Sequence, residues 1–235
     1  MTQGLSTTAI ERLSGCLDRL MPHVRPGSVA ITGGVGIQLG MAGLGRQGPR
    51  HEVADLDLVA ASVEAIAPTI VGPFLVSHYH VVRPGVPKFM IQLVDPASRI
   101  RVDIFPDLIS SLVTATTIAI GGHSIHVLPL DRIFEHKLHT LSRASLSAPI
   151  DPKHVSDARI IGDVLGRQVP GVASGAVVPD VYGIDDCFCQ RCELSSHPSW
   201  PLAPKEQIFD LLGWNRQPNI RLQPTAAGAI MSRRG

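Results

Sequence analysis

Asp55-Leu56-Asp57-Leu58-Val59-Ala60 sets acid and aliphatic residues in alternation before a short apolar end. Side chains along a strand point alternately to its two faces, so this stretch predicts a strand that gives Leu56 and Leu58 to a core and projects Asp55 and Asp57 together on the other side. A second stretch, Ile100-Arg101-Val102-Asp103-Ile104-Phe105, again carries an acid mid-strand, Asp103. A carboxylate inside an apolar strand is costly unless it faces a cleft or binds a cation. Parallel carboxylates on one strand repel each other, and a hard divalent cation with oxygen ligands, Mg²⁺ above all, relieves that repulsion. Asp55, Asp57 and Asp103 are therefore the candidate metal ligands. Two such ions about 3.5 to 4 Å apart suit phosphoryl or nucleotidyl transfer.

Working outward, Ser28-Val29-Ala30-Ile31-Thr32 predicts a strand that ends at Gly33-Gly34, with a helix beginning after the turn. A turn without side chains lets backbone N–H groups approach phosphate oxygens, so Gly33 and Gly34 are candidate nucleotide-binding positions. Upstream, Ile10, Leu13, Leu17 and Leu20 stand at helical spacing within Ser6 to Met21. Gly43 to His51, with Arg46 and Arg50, reads as an exposed loop, Val63 to Val71 as a helix and Phe74 to Val82 as extended. Lys88 to Asp95 and Ile100 to Phe105 form a predicted hairpin across Pro96-Ala97-Ser98, and a second hairpin is expected around Gly121-Gly122. The pattern then changes to helices over Pro129 to Ser145 and Asp151 to Gln168, with a short one at Lys205 to Leu212. The fold class is α/β (α+β), a mixed sheet with flanking helices followed by a helical half and a small Cys-containing segment. The expected units are 1–128 as core, 129–170 as a helical region completing the site, 171–214 as the cysteine segment and 215–235 as a disordered tail.

The order of these features, a strand ending in Gly33-Gly34, a helix, the acidic pair Asp55 and Asp57, and Asp103 on a later strand, resembles the nucleotidyltransferase superfamily of DNA polymerase β. The resemblance implies that the glycine turn holds a nucleoside triphosphate and that Asp55, Asp57 and Asp103 hold two Mg²⁺ ions, Asp103 also activating the acceptor hydroxyl. Phe134-Glu135-His136-Lys137-Leu138-His139-Thr140-Leu141-Ser142-Arg143, followed by Lys153-His154-Val155-Ser156-Asp157, is similar to the motifs of nucleotidyltransferases related to the abortive-infection toxins of bacterial type IV toxin–antitoxin systems. Carried over, Lys137 contacts the triphosphate with Arg143 beside it, and Asp157 positions the triphosphate or the acceptor. His154 stands where that pattern has Asp. The implied reaction moves a nucleoside monophosphate from an NTP to an acceptor in RNA, protein or a small molecule, and the resemblance leaves room for an antitoxin partner. Taken singly, an Asp-x-Asp pair also suits a solvated edge, Gly-Gly a plain turn, and Lys137, Arg143 and Asp157 ordinary surface charges.

Lys and Arg total 21 against 20 Asp and Glu, a formal net charge of +1, so nothing global draws the chain to nucleic acid or to a charged membrane surface. Arg46, Arg50, Arg83, Lys88, Arg99 and Arg101 are the cations available for a local patch. No apolar run reaches membrane-spanning length and the start Met1-Thr2-Gln3-Gly4 lacks the character of a signal peptide, so a cytoplasmic protein without membrane contact is expected. Cys187-Phe188-Cys189-Gln190-Arg191-Cys192, with His197 following, offers three thiolates and an imidazole to a closed tetrahedral zinc site; three reduced cysteines in a tight loop fit the spacing equally. The other histidines are scattered over different elements and suggest no metal site. Two further readings stand beside the enzyme: a non-catalytic nucleotide- or partner-binding protein on the same fold, and a zinc-stapled interaction module.

Overall fold

The computed structural model describes residues 4–48, 52–81, 89–144, 152–169 and 197–213. Cys187, Cys189, Cys192, Arg50, Arg83, Lys88 and the segment 215–235 lie outside these residues. Among the described residues the chain runs α1 (Thr7–Leu20), β1 (Val29–Thr32), α2 (Gly33–Gly43), β2 (Asp55–Ala60), β3 (Leu75–Val81), β4 (Phe89–Asp95), β5 (Ile100–Pro106), β6 (Thr116–Ile120), β7 (His123–Val127), α3 (Leu130–Ala144), α4 (Pro152–Leu165) and α5 (Lys205–Leu212). The seven strands form one mixed sheet in the order β3-β4-β5-β2-β1-β7-β6. In it β1 pairs antiparallel with β2, β2 runs parallel to β5, and β1 runs parallel to β7. Over the described residues, which leave out the expected element ends Val82, Lys88, Ser145 and Asp151, the α/β class and the strand and helix assignments hold with two exceptions. Helix α4 stops at Leu165, short of the expected Gln168, where Gly166 turns to φ +64°. Val63 to Val71 is two short 3₁₀ turns, Val63–Ala65 and Pro68–Val71, because Pro68 forces Ala67 out of the helical region and Ile66 is extended to bridge Val24.

The alternation along the central strands sorts their side chains onto two faces. Leu56, Leu58, Val102, Ile104, Ile91 and Leu93 are all fully buried and join the main core. The apolar stripe of α1, Leu13, Cys16, Leu17 and Leu20, closes this core. Ser6 starts that helix by accepting a hydrogen bond from the Ala9 N–H, 3.1 Å. Among the described residues the opposite face is covered only at its ends. Ala30 and Val59 pack there with Ile37 of α2, Ile133 and Phe134 of α3 and Ile161 of α4, while Val94 packs with Ile208 of α5. Between these two covers the middle strands present Asp55, Asp57, Arg101, Asp103 and Gln92 to a cleft.

Two local devices hold the frame. The β6–β7 hairpin turns at Gly121 and Gly122, both at positive φ (+54° and +90°), the geometry that a two-residue hairpin turn demands. The outer strand β3 is shielded by the C-terminal segment: Leu202 bridges Val76, the Ala203 N–H donates to the Val76 carbonyl at 2.8 Å, and Trp200 stacks on Tyr79 at 4.8 Å between ring centroids. Among the described residues no helix is long and apolar enough to cross a membrane.

At the β4–β5 turn, Asp95 is fully buried and is held by both arms of the Arg19 guanidinium, Nε at 2.9 Å, and by the Ala97 and Ser98 backbone N–H groups. Burial alone raises its pKa, but the Arg19, Ser98 and Ala97 hydrogen bonds outweigh that and hold the carboxyl below the usual range. A depressed folded-state pKa gives stability that is present above the ordinary carboxylate value and lost as pH falls through the folded one. Arg19→Ala, which leaves this carboxylate buried without its charge partner, is expected to cost about 1.5 to 3 kcal/mol. Urea unfolding at neutral pH measures that loss, and an unchanged midpoint rules out the clamp.

Candidate functional site

The register of the sheet brings the acids together. In the β2–β5 pairing Asp57 lies directly opposite Asp103, and Asp55 directly opposite Arg101. The four side chains share one face, so they form a square with three carboxylates and one guanidinium at its corners. Arg101 Nη2 lies 3.0 Å from Asp103 Oδ2 and 3.4 Å from Asp55 Oδ2, and thus bridges the two. Lys153, from the first turn of α4, reaches the same Asp55 Oδ2 at 3.3 Å. Asp57 receives the fields of Lys137, Lys153 and Arg101. Asp103 is only 6% exposed and its Oδ1 has no hydrogen-bond partner among the described residues.

These surroundings set the carboxyl pKa values. Burial pushes Asp57 up and the Asp55 charge adds to it, with Lys137, Lys153 and Arg101 pulling the other way. Asp103 is pushed up to about 7, chiefly by burial and then by Asp57, against the pull of Arg101 and of a hydrogen bond from Gln92. Gln92 is opposite Asp103 in the β4–β5 pairing and is itself buried. Its Oε1 accepts from Ser77 Oγ at 3.1 Å, which turns the amide nitrogen towards Asp103. Ser77 sits at an irregularity in the β3–β4 register between Val76 and His78, a bulge that re-aims a side chain beside the site.

The glycine turn closes against the acids. Gly33 is the first residue of α2 at φ +59°, and a Cβ added there would lie 1.7 Å from Asp57 Oδ2. No side chain fits between this turn and the carboxylate. Gly34 is buried in the first turn of the helix and is absent from the cleft wall. The cleft has a volume of about 530 Å³, and the sheet wall carries the acids while α3 and α4 supply His136, Lys137, His139, Thr140, Lys153 and His154.

Lys137 is 8% exposed, with Nζ 2.9 Å from Asp157 Oδ2 and 3.1 Å from His154 Nδ1. Asp157 is 2% exposed, so it serves as the buried counter-ion of Lys137 rather than facing the cleft itself. His154, the departure from the resembled motif, supplies a second acceptor that aims the ammonium. Arg143 lies near the C-terminal end of α3. Thus Gly33, Asp55, Asp57, Asp103 and Lys137 meet at one cleft, and Asp157 backs it. Reading the sequence alone missed Gln92 and the roles of Arg101, Lys153 and His154, because each role depends on a pairing across elements. Ser111 Oγ, 3.0 Å from His136 Nε2, also donates to Asp107 at 2.7 Å and is fully buried, so that trio caps a turn and is not a nucleophile.

All of the acidic donors are oxygens, which suits a hard divalent cation, and Asp103 Oδ1, which has no hydrogen-bond partner among the described residues and lies on the residue opposite Asp57, is the oxygen left open to one. Among the described residues no three carboxylate, imidazole or thiolate groups converge closely enough to hold a metal as they stand. His197 is remote from the cleft lining, lies 5.7 Å from the Tyr79 ring centroid and accepts the Ser199 N–H on Nδ1 at 3.2 Å. That bond leaves the neutral ring's proton on Nε2, so a zinc ion would have to displace one or the other.

No family model and no curated protein matches this chain. Among solved structures it is similar to the antibiotic-resistance factor ANT(2'')-Ia, at 18% identity and a TM-score of 0.38, over 68% of this chain and 83% of that one. It is also similar to an antigenic nucleotidyltransferase-like protein from Paracoccidioides brasiliensis, at 15% identity and a TM-score of 0.36, over 90% of this chain and 95% of that one. Superpositions this loose leave the function to be read from the cleft.

The raised Asp103 value has a direct consequence for the metal-free protein. An acid that ionises near its ordinary value of 3.8 when unfolded, but only at about 7 when folded, removes stability as pH rises between those values and no more above them. Thermal unfolding in EDTA is expected to show wild type falling through this window and Asp103→Asn falling less. Parallel pH profiles for the two proteins contradict the assignment.

Proposed function

We propose that this chain is a Mg²⁺-dependent nucleotidyltransferase that moves a nucleoside monophosphate from an NTP to a hydroxyl or phosphate acceptor and releases pyrophosphate. The observation that carries this reading is the placement of Asp57 directly opposite Asp103, with Asp55 on the same face, under the side-chain-free Gly33 turn and across a cleft from Lys137. Carboxylates so close together, on strands whose other face is fully apolar, are an expensive arrangement that a cation-dependent reaction explains.

Divalent ions at Asp55, Asp57 and Asp103, two in the resembled mechanism, supply charge neutralisation for the phosphates and for the repelling acids. The remaining work belongs to the chain. Lys137, fixed by Asp157 and His154, presents its ammonium to the triphosphate without having to be ordered on binding. The bare turn at Gly33 lets the phosphates lie against the backbone. Asp103, oriented by Gln92, accepts the proton of the acceptor hydroxyl. The acceptor oxygen then bonds to the α-phosphorus as the bond to the pyrophosphate oxygen breaks, and the electron pair leaves with pyrophosphate. Arg143 extends the phosphate contact in this scheme. RNA, protein and small molecules are the acceptor classes, with an antitoxin as a regulatory partner and the bacterial cytoplasm as the setting. Zn²⁺ on Cys187, Cys189, Cys192 and His197 would staple the C-terminal segment without entering the reaction.

Asp55 already in contact with Arg101 and Lys153 favours a second reading, a protein on the same scaffold that binds nucleotide and does not turn it over. Incubation with each α-³²P-labelled NTP, Mg²⁺ and a cell extract separated into RNA, protein and metabolites distinguishes the two. Label is expected in one fraction with wild type and to fall at least 100-fold with Asp57→Ala, whose far-UV circular dichroism is expected to be unchanged. Metal-dependent nucleotide binding without transfer selects the second reading.

A further inference from the structure

Two corners of the carboxylate square differ in what neutralises them. At the Asp55 corner the protein supplies its own cations. Arg101 is forced there by the register, because a residue two before Asp103 on β5 must share its face and stands opposite Asp55 on β2. Its Nη2 touches both Asp55 and Asp103, and Lys153 adds a second positive charge on the same Asp55 oxygen. At the Asp57–Asp103 edge the one cation in contact, among the described residues, is that same Arg101, on Asp103 Oδ2. The Asp103 Oδ1 there is buried and has no hydrogen-bond partner among the described residues, and the charges acting on Asp57 do so through space. A divalent ion arriving at this edge meets Asp57 and the open Oδ1 of Asp103, with Arg101 on the other Asp103 oxygen, whereas one arriving at Asp55 has to displace a guanidinium and an ammonium from the same Oδ2.

We infer that the nucleotide-free protein binds a single divalent cation, between Asp57 and Asp103, and that Arg101 with Lys153 takes the place of a second ion at Asp55. The inference rests on the metal-dependent reading above and departs from the two-ion expectation for the free protein. Arg101 is then a positioning residue: it sets how many ions the carboxylates accept and keeps Asp55 oriented before a nucleotide is bound. The positive charge is what matters, so a lysine in its place preserves the stoichiometry and a neutral amide does not.

The test uses Mn²⁺ as the probe, with free ion measured by electron paramagnetic resonance and heats by calorimetry, on the full chain without nucleotide. Wild type and Arg101→Lys are expected to bind one ion, Arg101→Gln/Lys153→Gln two, and Asp57→Asn/Asp103→Asn none at the same concentration. Thermal unfolding in EDTA accompanies each variant, so that if the double glutamine variant fails to fold, the Arg101→Gln single variant, expected to bind two ions against one for Arg101→Lys, carries the comparison. Two ions on wild type, or one ion on both wild type and the double glutamine variant, overturn the inference while leaving the metal reading intact. No Mn²⁺ on any of the proteins removes the metal reading and the inference together.

Discussion

Asp57 faces Asp103 across a parallel strand pair, and both are pinned there by the apolar residues on either side of them. Leu56, Leu58, Val102 and Ile104 have only one way to reach the core, and a slip of one residue would bury the acids and expose the aliphatics. The repulsion between the two carboxylates is thus built in by the same alternation that makes the sheet fold. Everything else at the cleft answers to it. Arg101 and Lys153 draw off part of the negative charge, Gln92 orients Asp103, and Gly33 leaves room where any side chain would collide with Asp57.

The helices answer to it as well. Among the described residues α2, α3 and α4 on one side and α5 on the other cover both ends of the site face but not its middle, and leave a polar cleft over a sheet whose reverse side packs on α1. The opposite wall is basic because α3 and α4 meet there, and the Lys137–Asp157 pair ties the two helices together. Burying that pair keeps Lys137 in a fixed place, with His154 as the second acceptor. The cations of α3 and α4 thus face the acids of the sheet across the cleft, Lys153 reaches over to Asp55, and Arg101 on the sheet itself touches both Asp55 and Asp103.

Much of this was legible in the sequence, since it depends on short-range patterns. The alternation in Asp55–Ala60 and in Ile100–Phe105 marks both strands and the direction of their acids, and Gly33-Gly34 marks the strand-to-helix turn. The pairing was not legible, since periodicity says which face Asp103 occupies but not which residue it meets. In the sequence Arg101 is one of six cations available for a local patch, and only the β2–β5 register makes it a bridge. His154 looked like a motif lost, yet its ring occupies the place of an acceptor for Lys137. Val63 to Val71 misled for a local reason, the bias that Pro68 places on Ala67. The cysteine motif lies outside the described residues, and His197 alone shows a backbone hydrogen bond on Nδ1.

The repulsion across β2 and β5 is measured most directly by a double-mutant cycle between Asp57→Asn and Asp103→Asn, read by denaturant unfolding at pH 8 in EDTA and again in Mg²⁺. In EDTA each single substitution is expected to stabilise the fold, and the pair together to gain less than the sum, because removing either charge already ends the repulsion. In Mg²⁺ each substitution is expected to cost stability, since a ligand is lost. Additive effects in EDTA that Mg²⁺ leaves unchanged contradict the account, for they mean that the two carboxylates neither repel each other nor share an ion.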